Sequence, residues 1–290
     1  MEKKLRITYL DAVVIIAVVA ASLWMMARIK AGLHYQWNWA VIPQYLFRYD
    51  SLQERWVPNL LIQGFMTTIR LSVWATLLAT LIGAVMALCG ISSSLFLRMT
   101  GRTYVELIRN MPPLVLVFIM YYFVSDQIIS AIGIDNIFRS LSTRTNHLVS
   151  VCCAPPEQMG IFLSAVLTLG MYEGAYLTEI IRAGIQSISR GQWEASRALG
   201  FTWWQQMRHV IFPQATTRIL PPFAGQVIST IKDSAIVSVI SIQELTFQGL
   251  ELMSATYLTF EIWITIMALY FLLTFSCSLV VRRLEVTLKR

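Results

Sequence analysis

The stretch Leu71–Gly90 runs for 20 residues without a charged side chain. That is the length an α-helix needs to cross the hydrocarbon core of a bilayer. Lipid offers the backbone no water to bond, so a helix is the form such a stretch takes there. The full apolar run is 68–90, and comparable runs lie at 9–27, 112–131, 159–181, 220–242 and 259–281. Charged residues make up only 13% of the 290, against about a quarter in a soluble domain. The expected class is an all-α membrane protein with about six transmembrane helices. The helical pattern of the second run extends back toward Asn59, which leaves Arg70 at its edge, where a long basic side chain snorkels to the headgroups.

The first run follows Lys3, Lys4 and Arg6, as a secretory signal would, but its 19 residues exceed the usual apolar region of such a signal. It is expected to stay as an anchor. This divides the chain into an anchor helix with an outer loop, residues 1–58, and a transmembrane domain, residues 59–290.

Basic residues set the orientation. With the N-terminus inside, cytoplasmic segments hold 15 of the 23 lysines and arginines and outer loops hold 6. Both termini are therefore expected in the cytoplasm. The net charge of +7 reports topology and implies no nucleic-acid partner. In the outer segment 28–58, Tyr35, Trp37 and Trp39 suit an interfacial belt. The segment 132–157 ends in the turn-forming Pro155-Pro156. Each is either a simple connection or a contact for an external partner.

Cys89, Cys152, Cys153 and Cys277 show no C-x-x-C spacing, so no metal site is expected. Cys89 and Cys277 read as packing residues, and the vicinal pair carries no assigned role. His34, His147 and His209 fall in separate loops, and neither H-E-x-x-H nor G-x-S-x-G occurs, which argues against a membrane enzyme. The chain also lacks G-x-x-x-x-G-K-[ST], so any ATP that drives it is held on another chain. A stand-alone channel or secondary transporter would account for the spans, but not for the loop that follows.

Residues 182–218 form the longest cytoplasmic loop, and they read as a folded element. A helix fits Gln192–Leu199, ended by Gly200, the residue that most readily adopts the left-handed conformation of a helix stop. Thr202 and Gln205 have the spacing of a capping box for a second helix, expected to run to about Ile211 before Pro213. Ala195, Ala198 and Gly200 keep one face small, and Glu194 and Arg197 can pair with a partner's charges. Trp193 suits either an interface anchor or a brace, while Trp203 and Trp204 read as braces against the bilayer.

The series Glu194-Ala195-Ser196, Gly200 and Val210-Ile211-Phe212-Pro213 resembles the EAA motif of binding-protein-dependent ABC permeases, with Ser196, Val210 and Phe212 as mild departures. Three further stretches are similar to segments of the polar amino-acid branch: Tyr104–Pro113, Gly174–Arg182 and Ile231–Ser234. The likeness spans roughly residues 59–286 and implies a MetI-like ABC importer permease of the bacterial inner membrane. It also implies that residues 182–218 contain the coupling helix that docks into an ATPase. The partners it implies are two ATPase subunits carrying ATP and magnesium, a second permease (identical or paralogous), a periplasmic solute-binding protein and an amino-acid substrate. Acidic or amide side chains are the narrower expectation.

Ionisable residues inside spans are costly and are read as functional. Lys232 and Asp233 lie about ten residues into the fifth run, roughly 15 Å deep. Being adjacent, they face different directions. They either fasten helices together or touch substrate. Glu173, between Gly170 and Gly174 of a G-x-x-x-G pattern suited to close packing, either meets a substrate amino group or pairs with a base such as Arg109. Arg109 and Pro112 belong to the family-like stretch before the third run. Glu179 and Arg182 are expected to anchor the coupling loop.

Overall fold

A computed structural model describes residues 9–32, 35–51, 54–133 and 149–288. Lys3, Lys4, Arg6, His34, Arg139, Arg144, His147, Lys289 and Arg290 lie outside the described residues. The chain divides into two compact units, Met1–Ala40 and Val41–Arg290. The first contains helix α1 (Tyr9–Gly32), with the guanidinium of Arg28 5.5 Å from the Trp24 ring. Trp37 stacks on Trp39 at 5.9 Å.

The second unit opens with α2 (Ile42–Leu46) and an antiparallel hairpin, β1 (Phe47–Asp50) and β2 (Arg55–Pro58), in which Tyr49 pairs with Trp56. Asn59 then starts α3 (Leu60–Ile91), ahead of the apolar run as the helical pattern predicts. Buried residues recur along it every third or fourth position, and most are small: Gly64, Thr68, Ser72, Ala75, Ala79, Gly83, Ala87 and Gly90. Lipid tails are as apolar as leucine, so apolarity alone does not drive membrane helices together. Small residues do so by letting backbones approach closely.

The partner of α3 is α7 (Met159–Gln186), the most enclosed helix of the bundle. Gly170 and Gly174 supply the close approach that their spacing predicts. A Cβ at 170 would lie 2.7 Å from Leu78 of α3, and one at 174 would lie 2.8 Å from the Tyr104 hydroxyl.

Four helical stretches are long and apolar enough to cross a bilayer: Leu60–Ile91, Pro156–Gln186, Trp203–Ile240 and Thr259–Arg283. The N-terminal helix contributes a shorter apolar stretch, Tyr9–Met25. The expected third span, 112–131, is one arm of a pair, Leu95–Asn110 and Pro113–Ile129, bent by 117°. Its first arm is α4 (Leu95–Asn110), which the charges of Arg98, Arg102, Glu106 and Arg109 had hidden in a presumed loop. Pro112 is extended (φ −58°, ψ 130°), so the helix restarts at α5 (Pro113–Ile119). A π-helical turn then leads to α6 (Asp126–Ile132).

The expected fifth span, 220–242, needs the larger correction. Pro213 does not end the loop helix. A π-turn at Met207–Ile211 continues into α10 (Phe212–Asp233), with Pro213 in its first turn. The helix runs unbroken from Trp203, so the missing N–H of Pro213 falls inside it, and the π-turn immediately before it loosens the carbonyl spacing where the ring must fit. The helix tightens to a 3₁₀ turn over Ser234–Ile240 and reverses at Ser241 (φ 61°). Where a plain connection was expected lies α11 (Leu245–Thr256), and α12 (Thr259–Leu288) follows.

Candidate functional site: a helical handle and a buried carboxyl

Within residues 182–218 the helix–glycine–helix turn forms as its residues predict, while 182–186 belong to α7 and 212–218 to α10. Helix α8 (Arg190–Ala198) ends at Gly200, whose φ is +79°. The Gly200 N–H donates to the Arg197 carbonyl (2.9 Å) and the Phe201 N–H to the Ser196 carbonyl (3.2 Å). These two bonds define a Schellman stop. Helix α9 (Trp203–Gln206) starts at Thr202 with both halves of the capping box formed.

The handle is braced from within. Ser196 is buried and donates to the Trp193 carbonyl (3.0 Å). Trp193 packs among Ile185, Ile188, Met207 and Ile211, and Arg218 donates to the Ser187 carbonyl. Trp193 is therefore a brace. Trp203 and Trp204 stand outward, edge to face at 4.8 Å.

The outward face of α8 carries Glu194, Ala195, Ala198 and Leu199, all exposed. Glu194 and Arg190 form an ion pair at 3.3 Å with both partners in solvent, a weak contribution to stability. Sequence reasoning passed over Leu199, which is 75% exposed. A large apolar side chain left out just before a helix stop is the signal that would have found it.

Glu179 and Arg182 pair with each other, and Arg182 reaches Gln186 as well (2.8 Å). The Arg109 guanidinium lies 5.4 Å from the centre of the Tyr176 ring. Glu173 does not meet Arg109. Its partner is Gln226 of α10, whose Nε2 donates to Oε2 at 2.6 Å. Glu173 is fully buried, and its Oε1 accepts no hydrogen bond of normal geometry. Asp233 and Thr230 of α10 lie alongside. Asp233 is half-buried on this side while Lys232 is exposed, so the adjacent pair diverges as helix geometry requires. Neither Gln226 nor Thr230 was singled out from sequence, since nothing local ties α10 to Glu173.

The vicinal cysteines are at the opposite end of the bundle from the handle, where the Trp74 indole N–H donates to the Cys152 carbonyl (3.0 Å). Burial first, and Cys152 second, push the Cys153 thiol above its ordinary pKa, which favours the protonated form at neutral pH. Among the described residues, no three His, Cys, Asp or Glu side chains gather closely enough to hold a metal ion.

Membrane-crossing helices, a stiff handle at one end and a buried carboxyl in the middle define a transport permease. Residues 79–290 match the family described as binding-protein-dependent transport system inner membrane component. The chain belongs to that family. It is 32% identical over 232 residues to the probable glutamine ABC transporter permease protein GlnM of Bacillus subtilis (strain 168), covering 80% of this chain and 94% of that one. It is 30% identical over 249 residues to the glutamate/aspartate import permease protein GltJ of Escherichia coli (strain K12), covering 86% and 94%.

Among solved structures, one described as an amino acid ABC transporter with histidines superposes with a TM-score of 0.65 at 31% identity, covering 87% of this chain and 99% of that one. The MetNI methionine ABC transporter shares the fold, with a TM-score of 0.56 at 20% identity. The chain is thus the MetI-like membrane component of an inner-membrane ABC importer, a transport subunit rather than an ATPase.

Proposed function

We propose that the chain carries polar amino acids inward across the bacterial inner membrane by alternating access, with acidic or amide side chains the preferred cargo. The observation that carries this reading is Glu173: a fully buried carboxyl with one oxygen lacking a hydrogen bond and a second carboxyl, Asp233, alongside. A buried acceptor without a donor is costly, and the α-ammonium of an amino acid is the donor this pair fits. The names of the relatives, which specify glutamine and glutamate or aspartate, support the same cargo class.

In this scheme, residues 182–218 and both termini face the cytoplasm. Two ATPase subunits carrying ATP and magnesium grip the handles of two permeases, this chain and an identical or paralogous one. A periplasmic solute-binding protein delivers the substrate. Closure of the ATPases moves α8, and α10, continuous with the handle through the π-turn, carries that movement to Gln226 and Asp233 as a rigid body. Glu194, Ala195, Ala198 and Leu199 present the face that docks, and Arg197 and Gly200 hold its end.

The test is uptake of labelled glutamine and glutamate by vesicles containing the permease, its ATPase and its binding protein. Glu173→Gln keeps the shape and the Gln226 contact but replaces one acceptor oxygen with an amide, and is expected to raise the KM for uptake about 10- to 100-fold. An unchanged KM would remove Glu173 from the pathway. Lys232→Ala is expected to abolish uptake whether Lys232 fastens helices or touches cargo. Normal uptake by that variant would show that this end of α10 is no working part of the pathway.

A further inference from the structure

Beside the handle lies a groove of about 610 Å3 between the α3–α4 turn and α8. Its walls hold four arginines, Arg98 and Arg102 from α4 and Arg190 and Arg197 from α8, and none of the described residues lining it is acidic. Arg190 is paired with Glu194. The other three have no carboxylate partner among the described residues. Guanidinium groups gathered from two elements repel one another unless an anion sits between them, and their planar forks match phosphate oxygens.

The surroundings decide what kind of phosphate that is. Leu95, Phe96, Leu97 and Met99 share the first turns of α4 with Arg98, and all four are exposed, Phe96 by 78%. A helix with bare apolar side chains on one face and arginines on the next lies at a membrane surface. Ile91, the last residue of membrane-crossing α3, forms part of the groove wall, and Trp193 and Trp203 complete it. The groove therefore opens at the level where acyl chains meet headgroups, a place a lipid reaches more readily than a free ion.

We propose that this groove binds the phosphate of an anionic phospholipid headgroup, such as phosphatidylglycerol, with the acyl chains along Leu95, Phe96 and Met99. The bound lipid bridges α4 to the handle. On α8 the groove takes Arg190, Trp193 and Arg197, which are three and four residues apart and share one side of the helix. Ala195 lies on the opposite side and Ala198 beyond Glu194, so the small residues of the docking face stand clear of the groove, which Glu194 borders through its pair with Arg190. The inference needs only that the chain is embedded in a bilayer, so it stands or falls separately from the substrate and the direction of transport.

The experiment is native mass spectrometry of the purified full-length permease in non-ionic detergent, titrated with dioleoyl phosphatidylglycerol or dioleoyl phosphatidylcholine. The wild type is expected to retain the anionic lipid in preference. Arg98→Gln/Arg102→Gln should weaken that binding about 20-fold, near fivefold for each arginine. Arg98→Lys/Arg102→Lys should keep part of it, and Arg208→Gln, outside the groove, should keep all of it.

Should the double glutamine variant fail to fold, quenching of wild-type tryptophan fluorescence supplies the readout. Brominated phosphatidylglycerol should then quench more than brominated phosphatidylcholine. The proposal is overturned by equal retention or equal quenching of the two lipids, or by Arg208→Gln losing as much lipid as the double variant. It is also overturned if inorganic phosphate displaces the lipid, which would mark a free-anion site. Release of the lipid when the ATPase subunit is added would mark a protein-docking face and would overturn it too.

Discussion

Gly200→Val is expected to cut substrate uptake at least tenfold while leaving the amount of permease in the membrane unchanged. The backbone at 200 has φ +79°, and no atom beyond its chain neighbours lies within 4 Å of where a Cβ would stand. The penalty is therefore conformational, with no clash to relieve. An L-residue in the left-handed region costs about 1–2 kcal/mol, and a β-branched one stands at the upper end. That is enough to shift a two-state equilibrium by about tenfold or more.

The strain falls on the Schellman bonds from Gly200 and Phe201, which fix the angle between α8 and α9. Gly200 lies just outside the membrane-crossing stretch that begins at Trp203, so insertion should survive. Transmission should not: a handle that gives at its elbow lets the ATPase close without moving α10. Measured together, uptake per permease should collapse while ATP hydrolysis by the assembled transporter continues. Gly200→Asn, which tolerates the left-handed region better, should retain more uptake than Gly200→Ala, and Ala more than Val. Valine at 200 with normal uptake would mean that the handle transmits no force.

The parts that could be read in advance are those whose physics is local. A charge-free run of the right length reveals α3. A glycine before T-x-x-Q reveals two helices and the turn between them. Adjacent residues on a helix diverge, so Lys232 and Asp233 had to face different ways.

The parts that could not be read depend on distant residues. Four charges in 16 residues make α4 look like a loop, because a hydropathy window counts charges without asking which face they occupy. On the helix, Arg98, Arg102, Glu106 and Arg109 share one side, lining grooves against α3, α7 and α8. Pro213 looks like a stop because the π-turn that carries the helix past it leaves no pattern in the sequence. Gln226 pairs with Glu173 across 53 positions. Helix α11 went unseen because its 12 residues are too few to stand out as a membrane run.

The partners of Glu244 make Glu244→Ala the substitution expected to destabilise the bundle most. Glu244 is fully buried. Its carboxyl accepts from the backbone N–H groups of Thr246 (2.8 Å) and Phe247 (2.7 Å), which caps α11. It also accepts from the Tyr270 hydroxyl of α12 at 2.8 Å and stands 3.4 Å from the Thr68 hydroxyl of α3. Thr68 in turn accepts from the Leu245 N–H at 3.1 Å. One side chain thus joins the start of α11 to the third turn of α3 and the middle of α12, at the chain reversal that follows Ser241.

Losing an N-cap costs about 1 kcal/mol, and each buried donor left without an acceptor costs about 1–3 kcal/mol more. With no water in lipid to take over, the total is about 3–5 kcal/mol. That corresponds to a melting temperature lower by about 10 °C, read as the monodisperse fraction left after heating in detergent.

Glu244→Gln keeps one oxygen for the cap and a polar group beside Tyr270, so it should lose less than half as much. Thr68→Val removes only the outer member of the network and should fall between glutamine and the wild type. If the alanine variant proves as heat-resistant as the wild type, the three helices are held by packing alone and the carboxyl is incidental. If glutamine is as damaging as alanine, the charge itself, beyond the hydrogen bonds, holds α11 in place.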